Sequence, residues 1–389
     1  MKKAIIIILA CVLCLAALAA GAVGLVLGKN KIVKPTDLGV PYLDIYAKEL
    51  VNSRLSDDMT VFDGKLYVGG GDYGANTGPV YVMSYDLERG VWEKSAEALP
   101  DEQIKRFALV GGELAILGTD PKEDWTMGNY YLLRDGKWET LRVLPSGIHC
   151  FDYTEFDGDG FFGLGVNSGD CPVVRFDGES YTAVGFYKDG EPLDTSVYET
   201  VRVYNLFEYC GELYAFFTFD KVGEDGAKNY YMDLYRYDGE VFEYAFGSIP
   251  AEDMPDIVTT DSAAYLVMNR TLLVTHDLTG FSGIALGKDI RVSDIIESDG
   301  SVFVLGWKPV SENYYEITVF EGNDGEFEKR FGFFAYATAG SFCKDGDRFY
   351  ISLGERENPA LIRDAGRVVA IGQRSEFVRT KPSLPSVAR

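Results

Sequence analysis

Histidine is the side chain that most readily binds a metal ion or transfers a proton near neutral pH, and this chain has only two, His149 and His276. The strand pattern places them at opposite ends of the fold, so they cannot share one ion. The cysteines outside the N-terminal segment lack the Cys-x-x-Cys spacing that binds zinc. They are Cys150, Cys171, Cys210 and Cys343. We predict no metal site from these residues, and a disulfide between Cys150 and Cys171 stays open.

Carboxylates are the other groups that could do chemistry, since the chain has 60 Asp and Glu residues. Asp152, Glu155, Asp157 and Asp159 lie close together in a glycine-containing segment, as in a calcium loop, but the full EF-hand spacing is absent. Calcium is therefore only an alternative, and Asp157 with the next glycine is equally the sequence of a tight turn. No nucleophile elbow and no phosphate-binding loop occurs. We predict no catalytic residue and no cofactor.

The chain is strongly acidic, with 37 basic and 60 acidic residues and a formal net charge of −23. Such a charge repels nucleic acid and, taken over the whole chain, an anionic membrane surface. We therefore predict no nucleic-acid partner. Hydrophobic residues make up 47% of the chain, which is enough for a large core and argues against disorder.

A short turn signal, usually Asp-Gly, recurs along the chain directly before an apolar strand. The turns begin at Asp63, Gly111, Asp157, Cys210, Asp261, Asp299 and Asp345. Their intervals are 48, 46, 53, 51, 38 and 46 residues. Asp and Gly tolerate the positive φ angles that tight hairpins need. Self-similarity at such a period predicts a repeated supersecondary unit.

Each unit carries a second turn led by Asp or Glu, with a further short strand after it. These turns begin at Asp86, Asp135, Asp177, Asp238, Asp277, Glu321 and Asp364. Four strands in a unit of about 40–50 residues are typical of β-propellers. We predict an all-β chain that forms a single β-propeller of about seven four-stranded blades. Counts of six or eight stay open, because the fifth unit is short.

The N-terminus begins with Lys2 and Lys3 and continues as an unbroken apolar run over 4–28. A helix of that length can cross a bilayer core of about 30 Å. The run predicts a transmembrane anchor, with a cleaved secretory signal sequence as the alternative, since 17–19 reads Ala-Leu-Ala. No second apolar span occurs, so we expect the propeller outside the cytoplasm, or secreted if the leader is cleaved.

The predicted organisation is an anchor or signal sequence at 1–28, a short linker at 29–40, the propeller at 41–375 and a loose tail at 376–389. The predicted blades span approximately 55–103, 104–147, 148–200, 201–254, 255–292, 293–337 and 338–375. Ring closure stays open. Residues 367–371 predict a fourth strand for the last blade, and 41–50 could extend that blade or pack across one face. Because the ring buries blade faces within one chain, we expect a monomer.

Glycines, a tyrosine and a tryptophan follow one another in the first unit, at 69–71, Tyr85 and Trp92. This order resembles the kelch repeat, and the resemblance extends over about residues 66–118. The second unit keeps the tyrosine and the tryptophan but has the single Gly118 where the first has three glycines. The resemblance implies a divergent kelch-like propeller. Propellers of that kind are mostly binding scaffolds, and a minority are enzymes.

In a meander, alternate connections lie at the same end, so the tight turns form one face and the long loops form the other. We name these the short-turn face and the long-loop face. Long loops on a rigid scaffold are where binding usually occurs. The expected long loops are 72–79, 119–129, 185–198, 220–229 and 308–313. Their aromatic and carboxylate side chains suit sugars or peptides, or else cap the core. The candidate ligand-binding residues are Asp72, Tyr73, Asp124, Trp125 and Trp307.

These features predict an extracytoplasmic, membrane-anchored propeller that binds a protein, peptide or glycan through its long-loop face. The alternative is an extracytoplasmic carbohydrate-active enzyme with carboxylates in the central opening. A third interpretation is an assembly factor whose partner contacts a blade edge. Two close, buried carboxylates in the channel would favour the enzyme, and an aromatic patch on the long-loop face would favour the binding module.

Overall fold

Short apolar strands alternate with tight turns throughout the chain, and the turn residues adopt the left-handed backbone that the sequence predicts. Asp63, Asp157 and Asp299 have φ angles of 44°, 51° and 55°. The structure is a computed structural model. It describes residues 31–47, 50–122, 124, 126–222, 227–251, 254–355 and 363–372. Within these residues the chain is nearly all β, which confirms the all-β part of the predicted fold class.

The strands follow one another as short segments with three one-turn 3-10 helices, Asn52–Arg54, Tyr73–Ala75 and Thr195–Val197. The first fifteen are β1 (Thr36–Gly39), β2 (Met59–Phe62), β3 (Lys65–Val68), β4 (Val80–Asp86), β5 (Val91–Leu99), β6 (Arg106–Val110), β7 (Glu113–Leu117), β8 (Met127–Arg134), β9 (Lys137–Pro145), β10 (His149–Phe156), β11 (Asp159–Val166), β12 (Val173–Phe176), β13 (Tyr181–Ala183), β14 (Phe186–Lys188) and β15 (Glu191–Pro192). The others are β16 (Val201–Tyr209), β17 (Glu212–Val222), β18 (Lys228–Tyr237), β19 (Phe242–Pro250), β20 (Asp256–Thr259), β21 (Ala264–Met268), β22 (Thr271–Thr275), β23 (Ser282–Ile284), β24 (Arg291–Ser298), β25 (Ser301–Ser311), β26 (Tyr314–Asn323), β27 (Glu326–Ala335), β28 (Ala339–Asp345), β29 (Arg348–Leu353) and β30 (Val368–Ile371).

Five separate four-stranded antiparallel sheets form blades of a propeller-like arrangement. They are β2–β5, β6–β9, β20–β23, β24–β27, and β28–β30 with β1. The first strands of successive units contact one another in the order β2, β6, β10, β16, β20, β24 and β28, and β28 contacts β2. These strands therefore surround a central axis, and each blade buries its faces against its neighbours.

The number of separate blades differs from the seven predicted, because the third and fourth predicted units join into one ten-stranded sheet. Strands β11 and β16 pair at Gly165–Arg202 and Val166–Val201. The hairpin β14–β15 then adds to the outer strand β19 by a parallel pairing of Phe186 with Phe242. The segment 185–198, which the sequence predicts as a long loop, thus lies partly along the outer edge of β19. Parallel pairing across two units leaves no local sequence signal.

The last blade is completed by the N-terminal strand, which closes the ring. β1 pairs antiparallel with β30, and the register matches Thr36 with Ala370. The prediction that 367–371 form the fourth strand is therefore wrong, since β30 is the third. The fourth comes from residues within the predicted 29–40 linker rather than from 41–50. Hydrophobic periodicity does not predict a strand of only four residues whose partner lies far away in the sequence.

The glycines at 69–71 have a steric explanation in the packing around this closure. Tyr42 is fully buried at 0% exposure, and its single hydroxyl hydrogen is shared between the carbonyl oxygens of Val68 and Tyr81, which lie 3.0 and 3.1 Å from the hydroxyl oxygen. A Cβ at Gly70 would overlap the Tyr42 ring. A Cβ at Gly69 would lie 2.5 Å from the carbonyl oxygen of Ile104 in the next blade. The absence of a side chain at Gly69 and Gly70 therefore leaves room for the Tyr42 ring and for the backbone of the neighbouring blade.

Two predicted loops are strand hairpins instead. β17 and β18 extend through much of 220–229, and β25 continues to Ser311 so that 308–313 is mostly strand.

No helix in the described part of the chain is long and apolar enough to cross a membrane. The predicted anchor at 1–28 and the predicted tail at 376–389 lie outside the described residues.

We expect Gly70→Ala to lower the free energy of unfolding by about 1–3 kcal/mol, because the added methyl group overpacks the Tyr42 ring. Chemical denaturation measures this change. Gly283→Ala is the matched control, because a Cβ at that strand glycine would have nothing within 4 Å. In a Tyr42→Ala background, Gly70→Ala should lower the free energy of unfolding by much less. An equal decrease in both backgrounds would contradict the steric explanation.

Candidate functional site

One polar residue occupies an equivalent position in each unit, on the innermost strand or immediately before it, and an apolar residue follows it directly. We name this set the polar belt: Asp58, Arg106, Asp152, Asn205, Asp256, Asp294 and Ser341. Its members follow one another at intervals of 48, 46, 53, 51, 38 and 47 residues, nearly those of the turns. Every charged member lines a cavity on the central axis.

Three belt carboxylates connect one unit to the next. Asp58 accepts a hydrogen bond from the backbone N–H of Met59 and another from that of Phe107 in the next blade, both at 2.7 Å. Asp152 and Asp294 repeat this arrangement with their own strand and the following one, at 2.7–3.0 Å. Each carboxylate therefore uses one oxygen for its own strand and the other for its neighbour. Charge-assisted hydrogen bonds of this kind are strong.

The uncharged belt residues make the same kind of connection. The side-chain amide of Asn205 donates to the carbonyl oxygen of Pro255 at 3.0 Å. The hydroxyl of Ser341 donates to the carbonyl oxygen of Ser56 at 3.3 Å, which links the last blade to the first. The belt thus continues across the point of ring closure.

Arg106 is the basic member of the belt. Its guanidinium contacts Asp152 at 2.7 Å and Asp256 at 3.2 Å. Asp152 belongs to the next unit, whereas Asp256 starts the blade β20–β23 on the other side of the channel. Burial lowers the pKa of Arg106, but the charges of Asp152, Asp256 and Asp58 more than offset it, so the pKa is raised and the side chain stays charged. Arg106 therefore bridges the channel.

Burial has a marked effect on two belt carboxyls. It raises the pKa of Asp58 to about 6, against the opposing effects of the Phe107 N–H and the Arg106 charge. Burial, followed by the charge of Asp256, raises the pKa of Asp294 well above its usual value. Carboxyls with such pKa values occur at catalytic sites, but they also occur where carboxylates are buried for structural reasons.

Two cavities lie along the axis and share Asp57, Lys105, Met254 and Asp256 in their walls. The cavity of about 570 Å³ extends towards the short-turn face. The cavity of about 510 Å³ opens on the long-loop face, and we name it the mouth cavity. A volume of this order accommodates a small ligand or the end of a larger one.

Tyrosines and cations give the mouth cavity its chemical character. Tyr73 and Tyr230 are 48% and 41% exposed, and Tyr204 lines the same wall. The amino group of Lys105 lies 5.6 Å from the Tyr73 ring centroid and 5.7 Å from that of Phe151. The rings offer apolar faces with polar hydroxyls, and the cation adds a charge that a ligand can recognise.

A hydrogen-bonded group around Glu355 forms another part of the cavity wall. Its carboxylate accepts from the Ser293 hydroxyl at 3.0 Å and from the indole N–H of Trp307. It also pairs with the guanidinium of Arg270 at 3.1 Å. The backbone of Arg270 has a φ of 59° in the tight turn between β21 and β22, which aims its side chain into the mouth. The network fixes the position of a charged pair at the cavity wall.

The structure brings together only part of the candidate set from the sequence. Tyr73 lines the mouth cavity, and Asp72 lies beside it as the N-cap residue whose carboxylate accepts from the Gly74 N–H at 3.0 Å. Asp124 is exposed and pairs with Arg142 at 3.1 Å on the second blade. Trp125 lies outside the described residues.

Trp307 is buried at 2% exposure, so its ring does not form the exposed aromatic surface that was expected on the long-loop face. The reason is that β25 runs past Trp307 to Ser311, which places the indole inside the strand region. The ring packs perpendicular to Tyr315, with centroids 5.3 Å apart. Its role at the mouth is indirect, through the bond to Glu355.

The two histidines lie at opposite ends of the fold, as the sequence predicts. His149 begins β10 near the long-loop face, where its ring stacks on Phe151 at 5.2 Å. Burial, followed by the charges of Arg202 and Lys105, lowers the pKa of His149 to about 3. His276 follows β22 towards the short-turn face, and its Nδ1 lies 2.9 Å from the Ser262 carbonyl oxygen.

The carboxylates of 152–160 point to different partners rather than to one centre. Asp159 pairs with Arg175 at 2.5 Å, and Glu155 accepts from the Gly111 N–H at 2.9 Å. Among the described residues no group of three or more His, Cys, Asp or Glu side chains could hold a metal ion. Cys150 and Cys171 are not bonded to each other.

Several residues of the site carry signals that the sequence could have revealed. The belt follows the repeat interval, yet its members are Asp, Arg, Asn and Ser, so identity alone does not align them. Glu355 lies two residues after the second strand of the last blade, where a channel-end residue is expected. Lys105 directly precedes the belt residue Arg106. Arg270 lies in a turn too short to be counted as a binding loop.

The fold and the axial site define a β-propeller-like protein. No family model and no curated protein matches the chain. A structure of BBS1N in complex with ARL6DN matches with a TM-score of 0.48 and 10% identity, over 88% of this chain and 100% of that chain. A putative 6-phosphogluconolactonase from Bacteroides uniformis matches with a TM-score of 0.46 and 13% identity, over 79% and 97%. A Mycobacterium tuberculosis puromycin-hydrolyzing peptidase matches with a TM-score of 0.48 and 11% identity, over 90% and 57%. No activity or partner is carried over from these matches.

We expect stability to fall as the pH rises from about 4 to about 7. The folded pKa of Asp58 is about 6 and its ordinary value is 3.8, so the folded state binds the proton more tightly and loses this advantage as the pH passes 6. The group contributes roughly 3 kcal/mol across this window. Urea unfolding at pH 4.5 and 7.5 measures the effect.

The matched variant for this test is Asp58→Asn, which cannot titrate. Its unfolding free energy should be lower overall, because Asn cannot accept both N–H bonds, but its fall between the two pH values should be smaller. An unchanged pH dependence would contradict the assignment to Asp58.

Arg106→Met should destabilise the fold by about 3–5 kcal/mol at pH 7.5, because it leaves the buried Asp152 and the part-exposed Asp256 without their cation. Arg89→Met is the control, since Arg89 pairs with Glu93 on the exposed rim and should matter little. An Arg106→Met variant as stable as the control would refute the bridging role.

Proposed function

We propose that this protein is a binding module, and that its ligand, a protein segment, a peptide or a glycan, enters the mouth cavity on the long-loop face. The observation that carries the proposal is the contrast between the mouth and the belt. Both oxygens of Asp58, Asp152 and Asp294 already accept backbone N–H bonds, whereas the mouth presents three tyrosines around a positioned arginine–glutamate pair. Aromatic residues and arginine dominate the binding energy of most recognition sites.

The proposal includes a ring of seven blades. The ten-stranded sheet contains two four-stranded meanders, β10–β13 and β16–β19, and each begins with an innermost strand that carries a belt residue. With the five separate sheets, these meanders supply one blade per belt residue. The kelch-like order of the first unit supports the same assignment, and a propeller of this kind is expected to act as a monomer.

The proposed location is outside the cytoplasm, on a membrane anchor formed by residues 1–28, or in secreted form if the leader is cleaved. The basis is the apolar run of 25 residues behind two lysines. The acidity of the rest of the chain suits an exported, soluble propeller.

The second candidate is an extracytoplasmic carbohydrate-active enzyme that uses carboxylates in the central opening. The observation in its favour is that Asp58 and Asp294 face the channel with raised pKa values, as a general acid requires. Against it stands the use of both oxygens of each carboxylate by backbone groups. An enzyme of this class would lose hydrolysis of aryl glycosides with Asp58→Asn while retaining ligand binding.

Binding of the soluble fragment 30–389 to glycan and peptide arrays, with and without Ca²⁺, tests the binding module. Once a ligand is found, Tyr73→Ala should weaken its binding at least tenfold, about 1.4 kcal/mol, because the substitution removes an exposed ring at the mouth. Tyr187→Ala is the control, since Tyr187 lies on the outer hairpin β14–β15.

The outcomes separate the two candidates. Loss of binding with Tyr73→Ala but not with Tyr187→Ala supports recognition at the mouth. Equal binding by both variants would place the ligand elsewhere. Hydrolysis of an array glycan that depends on Asp58 would replace the binding module with the enzyme.

A further inference from the structure

Two cations flank one aromatic ring beside the mouth cavity. The amino group of Lys105 lies 5.7 Å from the centroid of the Phe151 ring, and the guanidinium carbon of Arg202 lies 5.9 Å from the same centroid. Arg202 lies near the start of β16, three residues before the belt residue Asn205, and therefore on the long-loop side of the belt. Lys105 lines the mouth cavity itself. Two positive charges are thus held together at the mouth of a strongly acidic protein.

A glycine makes room for the Arg202 guanidinium. Gly165 pairs with His149 on one side and with Arg202 on the other. A Cβ at Gly165 would lie 2.8 Å from the Phe151 ring. It would also lie 3.1 Å from the His149 ring and from a terminal nitrogen of Arg202. The guanidinium therefore lies in space that a side chain at this position would fill.

The charge of Arg202 is not neutralised by a carboxylate in the part of the chain that the structure describes, since Arg202 forms no ion pair there. The acidic side chains that line the mouth cavity have other partners. Asp57 accepts from a glutamine amide, and Asp256 and Glu355 pair with arginines. Burial lowers the pKa of His149, and the charges of Arg202 and Lys105 lower it further, so the local potential is positive.

A buried hydroxyl lies next to Arg202 in the same wall. Thr218 is opposite Arg202 in the pairing of β16 with β17, so the two side chains lie on the same side of the sheet. Thr218 is 2% exposed and lines the mouth cavity. Its Oγ1 has no hydrogen-bond partner among the described residues. A buried hydroxyl without a partner is costly, and a ligand oxygen would remove that cost.

We propose that Lys105, Arg202 and Thr218 form an anion subsite that binds the carboxylate of a uronic acid unit of a glycan in the mouth cavity. The inference rests on the proposed function and names the ligand of the same cavity. The planar guanidinium matches the two oxygens of a carboxylate, and the ammonium adds a second charge. The Thr218 hydroxyl donates to the same group.

The rest of the cavity wall favours a sugar over an acidic peptide side chain. Tyr73 and Tyr230 present exposed rings, and Ser56, Ser293 and Glu355 line the wall between apolar residues. A pyranose ring has an apolar face that packs on a tyrosine ring and hydroxyls that bond to polar side chains. A glutamate or aspartate side chain offers the carboxylate without these hydroxyls.

Calorimetric titration of the full chain in detergent micelles tests the subsite. The probes are trimers of galacturonate, glucuronate and mannuronate, each as the free acid and as the methyl ester. Esterification removes the charge and keeps the sugar. At least one acid trimer should bind, and its ester should bind at least about tenfold more weakly.

Substitutions assign the effect to the subsite. Arg202→Met should weaken binding of the acid by a similar factor and leave the affinity for the ester unchanged, because esterification removes the same interaction. Thr218→Val keeps the side-chain shape and should weaken binding of the acid severalfold, which keeps the test open if Arg202→Met does not fold. Arg236→Met is the control, since Arg236 pairs with Glu212 at 3.0 Å near the short-turn face.

Three results would overturn the inference. The first is the absence of binding by every acid trimer, or equal binding of acid and ester. The second is binding of the acid that neither Arg202→Met nor Thr218→Val changes. The third is tighter binding of a pentaglutamate peptide than of any trimer, which would exclude the sugar. A neutral array glycan whose binding depends on Tyr73 but not on Arg202 would leave the binding module intact and overturn the anion subsite alone.

Discussion

A carboxylate that accepts one N–H from its own strand and one from the next blade is the interaction on which this ring depends. Blades of a propeller meet mainly through apolar side chains, and apolar contact is non-directional. Asp58, Asp152 and Asp294 add directional contacts. Each accepts a hydrogen bond from the next innermost strand, and this bond fixes the position of that strand along the channel axis. Arg106 adds a connection across the channel. The belt therefore sets the register between blades, while the apolar faces supply most of the burial.

The same constraint determines where function can lie. Carboxylates that hold the blades are poorly suited to exchange protons with a substrate, since each oxygen is already occupied. The perturbed pKa of Asp58 is then a consequence of burial in a structural position rather than a sign of catalysis. The residues at the channel mouth do not make these hydrogen bonds between innermost strands. There the blades end in Tyr73, Arg270 and Glu355, which are positioned by local turns and by one hydrogen-bonded network.

The features that could be predicted from the sequence are those with a local cause. The Asp-Gly turns impose a positive φ wherever they occur, so the meander and the propeller-like ring follow from their spacing. Other features depend on contacts between distant residues. Gly70 is required by the ring of Tyr42, and β1 finds its partner about 330 residues away.

The candidate site was predicted only in part for a related reason. Loop membership identified Tyr73, because that residue really lies in a loop between β3 and β4. It misplaced Trp307, because a strand can extend beyond its hydrophobic pattern when its hairpin partner extends with it. It missed Arg270, whose tight turn is short but aims into the cavity. The residues that converge on the mouth cavity are identified by their position along the channel axis rather than by the length of the loop that carries them.

Hydrogen exchange at the backbone amides of Phe107, Leu206 and Phe342 tests the central claim most directly, because these are the N–H groups that the belt carboxylates accept from the next unit. If the belt holds the ring together, the three amides should be among the slowest to exchange at pH 7, opening only with global unfolding, although Phe107 and Phe342 line a cavity that water can enter. Exchange as fast as that of exposed loop amides would contradict the account, and would return the channel carboxylates to the list of candidate catalytic groups.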